Sequence, residues 1–284
     1  MKRLILRLSI AVGVVAAGTL AVVGPASAAV PGLQYITMST VSDSSVYKTI
    51  TVPCPSGLQA IGVGYEFVGA TGSVVLDDFI PNATSVTVGA GEIVGPGEPS
   101  DGTTQNWRIK ATAICANPLP GLQIVSNTSF FGPGGSRQVF ADCPVGKRVV
   151  GSGAALSQGF GQVSIRALGI AGTFVVADAI DDEDGYSGNW SITAYAVCAN
   201  AVPGLQIITG STANDSSDIK HASANCPPDK KVLGVGWALN PGDQMYAHST
   251  FLGIGGSNTM LLVEDANGFG GNWNASAISI CADA

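Results

Sequence analysis

Nine side chains of this sequence recur in threes and are of types that bind or react. A cation stands six residues before the first cysteine of each of three units, at Lys48, Arg137 and Lys220. An acid returns at Glu92, Asp181 and Glu264 once a longer loop in the first unit is allowed for. A tryptophan stands eight residues before the second cysteine, at Trp107, Trp190 and Trp273. The cation and acid admit a structural ion pair in each unit, of the common and individually weak surface kind, or half of a ligand site. The tryptophans admit rings stacked on a sugar, or core rings packed on a disulfide. These nine residues are the candidate ligand-binding set.

The rest of the chemical inventory is thin. Asp181-Asp182-Glu183-Asp184-Gly185 invites calcium, which takes six to eight oxygens at fixed loop offsets. The aligned stretch in the third unit, Glu264-Asp265-Ala266-Asn267-Gly268, keeps fewer acids, and the first unit keeps Asp101-Gly102. The competing reading is a hairpin turn with a solvated acidic tip. No metal site and no cofactor is assigned. His221 and His248 both fall in the third unit without metal spacing and read as surface residues. No Gly-x-Ser-x-Gly elbow, His-Glu-x-x-His pair or phosphate-cradling loop appears, and no catalytic residue is assigned. Paired carboxylates of the glycosidase kind stay open, because distance is not visible in sequence.

The framework that must position these residues is one unit written three times. Each opens on Pro-Gly-Leu-Gln at Pro31, Pro120 and Pro203, its glycine 22 residues before a cysteine: Cys54, Cys143 or Cys226. Glycines follow 8 and 10 residues on, as Gly62 and Gly64, Gly151 and Gly153, Gly234 and Gly236. Paired glycines within a strand suggest a bulge, or close approach of another backbone. Each unit closes on Asn-Trp and a second cysteine: Cys115, Cys198 or Cys281. The units run 30–116, 117–199 and 200–284, joined by four-residue linkers too short for hinged beads.

Six cysteines in an exported chain imply disulfides, which leaves no thiol nucleophile. Repetition reduces the pairings to two: Cys54–Cys115, Cys143–Cys198 and Cys226–Cys281 within units, or a cyclic set across them. The first is favoured, since each unit then carries its own staple, worth about 4 kcal/mol on the chain-entropy model. Charged residues make up 12% of the chain and glycine 38 of its 284 residues. With abundant Val, Ile, Thr and Ser, this composition points to short strands and glycine turns, an all-β protein. In the last strand of the first unit, Trp107, Ile109, Ala111, Ala113 and Cys115 alternate with polar Arg108, Lys110 and Thr112. The extra residues from Gly89 to Asp101 read as a surface loop.

Residues 1–28 have the form of a secretory signal: basic Lys2, Arg3 and Arg7, an apolar run to Val23, and small Ala26-Ser27-Ala28. Without those three cations, ten of the 13 basic residues face all 20 acids, a net charge of −10. With no Lys/Arg cluster, nucleic acid is excluded as a partner, as is an anionic membrane after cleavage. The expected product is secreted, its oligomeric state undetermined.

The repeat, from Pro-Gly-Leu-Gln through Cys-Pro and Gly-x-Gly to Asn-Trp and Ala-x-Cys-Ala, resembles repeats of secreted actinobacterial proteins. That resemblance spans the mature chain and implies export and repetition but no activity. A looser one is to the vitelline membrane outer layer family, a β-prism of three repeats; of its Asp-Asp-Thr-Ala segment this chain carries Leu76-Asp77-Asp78.

The expected fold is three antiparallel sandwich-like repeats of about six strands, one disulfide each. The alternative is a pseudo-threefold prism in which each repeat supplies one face. The expected function is extracellular and non-catalytic, binding or structural. Its expected ligand is polysaccharide or cell wall, met by three equal sites that give avidity. A secreted glycan hydrolase and a protease inhibitor presenting the Gly89–Asp101 loop are the alternatives.

Overall fold

The computed structural model describes residues 29–94, 102–159, 161–183, 185–253 and 256–284. The signal-like segment and most of the first unit's extra loop lie outside the described residues. Among these the chain is all-β, with no helix. Repeat one carries β1 (Gln34–Ser39), β2 (Tyr47–Pro53), β3 (Gln59–Val68), β4 (Val74–Pro81), β5 (Ser85–Glu92) and β6 (Arg108–Ala116). Repeat two carries β7 (Gln123–Thr128), β8 (Ser136–Asp142), β9 (Lys147–Ser157), β10 (Val163–Ile170), β11 (Phe174–Asp181) and β12 (Ser191–Asn200). Repeat three carries β13 (Gln206–Ser211), β14 (Ile219–Ser223), β15 (Lys230–Asn240), β16 (Met245–Leu252), β17 (Asn258–Glu264) and β18 (Asn274–Asp283). Gly89 to Glu92, expected in the surface loop, belong instead to β5, where they pair with β2 and β4.

Each repeat is a sandwich of two three-stranded layers, β1-β6-β3 against β2-β5-β4 in the first. The disulfides fall one to a repeat, as Cys54–Cys115, Cys143–Cys198 and Cys226–Cys281. The repeats then join edge to edge. Three six-stranded antiparallel sheets result, ordered β1-β6-β3-β16-β17-β14, β2-β5-β4-β9-β12-β7 and β13-β18-β15-β10-β11-β8. Every sheet takes half its strands from each of two repeats, so a face is shared rather than supplied by one repeat.

The paired glycines make this junction possible. β3, β9 and β15 are buried along nearly their whole length, because one face meets its own sandwich and the other meets the neighbouring repeats. A β-carbon on Gly62 would stand 1.9 Å from the Leu233 carbonyl oxygen, and one on Gly151 1.8 Å from that of Ile61. One on Gly234 would stand 2.9 Å from the Cα of Gly151. The first glycine of each pair thus packs on the backbone of another repeat, in cyclic order. The second lies at a sheet seam: the β-carbon would meet the Phe79 carbonyl oxygen at 2.4 Å from Gly153, and that of Leu168 at 2.2 Å from Gly236.

One aromatic cluster spans these junctions. Tyr65 and Phe79 of repeat one pack edge-on against Trp237 of repeat three, whose indole N–H donates to the Ile165 carbonyl of repeat two at 3.0 Å. The main core runs through all three repeats, beside a small second cluster of Val75, Ile93, Tyr246 and Val263.

Candidate functional site

Six of the nine recurring residues, the cations and the tryptophans, meet in three equivalent nodes. The β2, β8 and β14 strands bring Lys48, Arg137 and Lys220 over the rings of Trp107, Trp190 and Trp273, at 4.9, 4.4 and 4.7 Å from their centres. Each indole N–H is held by a backbone carbonyl, of Ser45, Gly134 or Ser217, at 2.9–3.0 Å. All three rings are 0% exposed. The sugar-stacking reading is therefore corrected: no ring face is available, and each ring is filled by core on one side and a cation on the other.

The cations do not find their acid where the repeat pattern placed it. Lys48 pairs with Asp43, and Lys220 with Asp215. Repeat two has Gly132 at that place, and Arg137 donates instead to the carbonyls of Gly132, Pro133 and Trp190. The recurring acids Glu92, Asp181 and Glu264 accept the backbone N–H groups of Thr103, Tyr186 and Phe269, at 3.0–3.3 Å. Their work is to fasten the loop that leads into each Asn-Trp. Glu92 also accepts from the Trp107 indole at 3.2 Å. The Lys220 and Ser217 hydrogen bonds hold the Asp215 carboxyl down at about 2, and Lys48 and Ser45 hold that of Asp43 below the ordinary carboxylate range.

The node predicts a stability effect. Lys220→Ala removes a buried cation from an aromatic face and from a half-exposed carboxylate, and should cost about 1–2 kcal/mol. A thermal melt unchanged from wild type would show that the node contributes nothing.

The calcium reading gains no geometry. Among the described residues no three His, Cys, Asp or Glu side chains are grouped to hold a metal. Asp182 accepts the Gly185 N–H at 3.0 Å and Asp265 that of Gly268 at 2.9 Å, as turn residues do; Asp184 lies outside the described residues.

The repeats differ at one bulge. Register slips between Leu76 and Asp78 on β4, between Ile165 and Ala167 on β10, and between Ala247 and Ser249 on β16. The extra residue is Asp77, Arg166 and His248 respectively. The Arg166 Nη2 donates to both carboxylate oxygens of Asp178, at 2.7 and 2.8 Å. The Tyr47 hydroxyl donates to Asp77 or Asp78, standing 3.1 and 3.2 Å from their carboxylates. Burial, then the neighbouring Asp78 charge, pushes the Asp77 carboxyl up to about 7. His248, expected at the surface, is instead buried, its Nδ1 3.0 Å from the Ser249 hydroxyl and its ring edge-on to Phe67. Burial lowers it to about 4.

These two groups set opposing pH slopes. Between about pH 4 and 7 native Asp77 keeps a proton that the unfolded chain has lost, so its contribution falls as pH rises. Between about 4 and 6.5 native His248 refuses a proton that the unfolded chain takes, so its contribution rises with pH. At 1.36 kcal/mol per pKa unit the two shifts correspond to about 4 and about 3 kcal/mol. Urea unfolding across this window should show stability rising with pH in Asp77→Asn and falling with pH in His248→Gln. Parallel profiles for the two variants would contradict both assignments. Asp43 and Asp215 act only below pH 4, where their protonation removes stability.

A groove of about 450 Å³ lies on the outer face where β3 meets β16; clefts of about 520 Å³ beside Asp218 and Phe269 and of about 560 Å³ beside Arg148 and Leu205 lie away from the three seams. At the β3–β16 seam one backbone pair, Ser249 with Glu66, joins the strands. Side-chain hydroxyls complete the join: the Tyr65 N–H donates to the Thr250 hydroxyl at 2.8 Å and the Phe67 N–H to that of Ser249 at 3.2 Å. No protein-family model matches the chain, and no curated protein matches it.

Proposed function

We propose that the protein works outside the cell as a non-catalytic binder of polysaccharide. Three disulfides fit an oxidising compartment, and the signal-like N-terminus supports export. The observation that carries the binding reading is a repeated pair of surface hydroxyls. Thr37 with Thr112, Thr128 with Thr193, and Ser211 with Ser276 face each other across equivalent strands at 2.8–2.9 Å, one pair on each of the three sheets. Thr51 with Thr87 and Ser223 with Thr259 add two more. Either oxygen of a pair can donate, so each offers a donor and an acceptor to sugar hydroxyls. Three faces so equipped on a charge-poor surface suit a polymer that presents the same unit repeatedly.

The mature protein should be retained by one of insoluble cell wall, chitin, cellulose or starch. Retention by none of them overturns the reading.

Asp77 and Asp78 favour a second reading, a glycan hydrolase. Two carboxyls share one tyrosine hydroxyl; burial raises both, and Asp77 is carried up to about 7, into the range of a general acid. Release of soluble sugar from the retained polymer, lost in Asp77→Asn, would decide for it.

A further inference from the structure

We infer that the groove between β3 and β16 is the principal glycan subsite, and that it takes an uncharged segment of the chain. This rests on the polysaccharide reading above and assigns it to one of the three faces. The three seams are related by the repeat, but they are closed differently. At two of them a backbone carbonyl, of Phe79 or Leu168, packs directly on a glycine, and two residue pairs zip the strands together. At the third the hydroxyls of Ser249 and Thr250 stand between the strands, and Leu252 rather than a carbonyl covers Gly64. The wider join leaves the groove. Its volume of about 450 Å³ falls in the range of small-ligand clefts, ~300–1,000 Å³.

The lining specifies the ligand. The Thr37–Thr112 hydroxyl pair lies in it, so the groove contains one of the three recurrent polar pairs. Lys110 and Glu66 are its charged lining residues, and they are bonded to each other at 2.8 Å. Their charges cancel towards a ligand while both still offer polar atoms. A phosphate, sulfate or uronate would have to break that pair and would leave Glu66 facing it, so an anionic ligand is disfavoured in a protein that is already acidic. Phe251, 40% exposed, and Tyr35, its hydroxyl fixed to the Val232 carbonyl at 2.9 Å, supply apolar ring surface beside the hydroxyls. A hydroxyl pair, a self-neutralised ion pair and exposed ring surface together match a neutral pyranose, polar at its rim and apolar on its faces.

The test is calorimetric titration with soluble hexamers of glucose (β-1,4 and α-1,4), of N-acetylglucosamine and of galacturonic acid, alongside retention on the four polymers. One neutral hexamer should bind. Phe251→Ala, which removes an exposed ring and should fold normally, should weaken that binding about tenfold. Phe130→Ala, which removes an exposed ring that does not line the groove, should leave it unchanged. Unaltered binding by Phe251→Ala, preference for the galacturonate hexamer, or polymer retention with no hexamer bound would overturn the groove assignment while the polysaccharide reading stands. Retention by no polymer and binding of no hexamer would overturn both.

Discussion

Gly151→Ala should leave little or no folded protein, whereas Gly270→Ala should be almost silent. An added β-carbon at Gly151 would lie 1.8 Å from the Ile61 carbonyl oxygen and 2.9 Å from its carbonyl carbon. Both atoms belong to the backbone of another repeat's central strand, so no side-chain rotation relieves the contact. The strands would have to separate by more than 1 Å where three repeats meet. Overpacking of a core ordinarily costs about 1–3 kcal/mol with neighbours that can shift; against fixed backbone the cost should exceed about 4 kcal/mol, a large part of a typical domain's stability. At Gly270 an added β-carbon meets nothing within 4 Å. Soluble yield and thermal melting of the two variants check the contrast. A Gly151→Ala protein melting with the wild type would mean that the repeats do not approach each other in this way. An added β-carbon at Gly62 would lie 1.9 Å from the Leu233 carbonyl oxygen, so Gly62→Ala should repeat the result from another side of the junction.

That close approach was legible in the sequence as a kind of contact, but its partner was not. Paired glycines at a fixed offset from a cysteine, in strands otherwise rich in β-branched residues, require something near the backbone. Nothing in the local pattern says that Gly151 meets Ile61 rather than a residue of its own repeat, because strand pairing across 90 residues leaves no trace in a period of two. The strand alternation of β6 was readable for the opposite reason: its apolar positions repeat every second residue, and Ile109, Ala111 and Ala113 are all buried.

Symmetry helped at the disulfides and misled at the nodes. Repetition narrowed the pairings to two, and the set that keeps each staple within its repeat is the one formed. The same trust in threefold recurrence joined the cations to Glu92, Asp181 and Glu264, and passed over Asp43 and Asp215, because repeat two replaces that acid with Gly132 and an arginine that reaches carbonyls. The bulge was hidden for a related reason. Asp77, Arg166 and His248 are three unlike residues at one structural position, so comparison of repeats treats the position as variable surface. It is in fact where each repeat departs from the common design, and two of the three carry shifted titrations there. The burial of the tryptophans was among the readings the sequence allowed; only the cation above each ring and the core beneath it remove the alternative.

Removing one staple should weaken the whole molecule, not one third of it. Cys143→Ala with Cys198→Ala opens a bridge with a sequence separation of 55 residues, which on the chain-entropy model costs about 4 kcal/mol. In a body of this size that corresponds to a fall of roughly 10 °C in melting temperature. If the repeats were independent beads, a third of the signal would melt early and the rest would stay. Here β9 is paired to β4 of repeat one and β10 to β15 of repeat three, and Trp237 of repeat three donates to the Ile165 carbonyl of repeat two. Unfolding repeat two would strip the edges from two sheets and expose Phe79, Tyr65 and Trp237, which are all but fully buried in the intact molecule. A single transition, shifted as a whole, is therefore the expected calorimetric result, and two separated transitions would refute the shared core. By the same reasoning a fragment ending at Leu119 should not fold. It retains its bridge and six strands, but β3 and β4 lose the strands of the other repeats that flank them, and the apolar surface that one repeat buries against two others faces water.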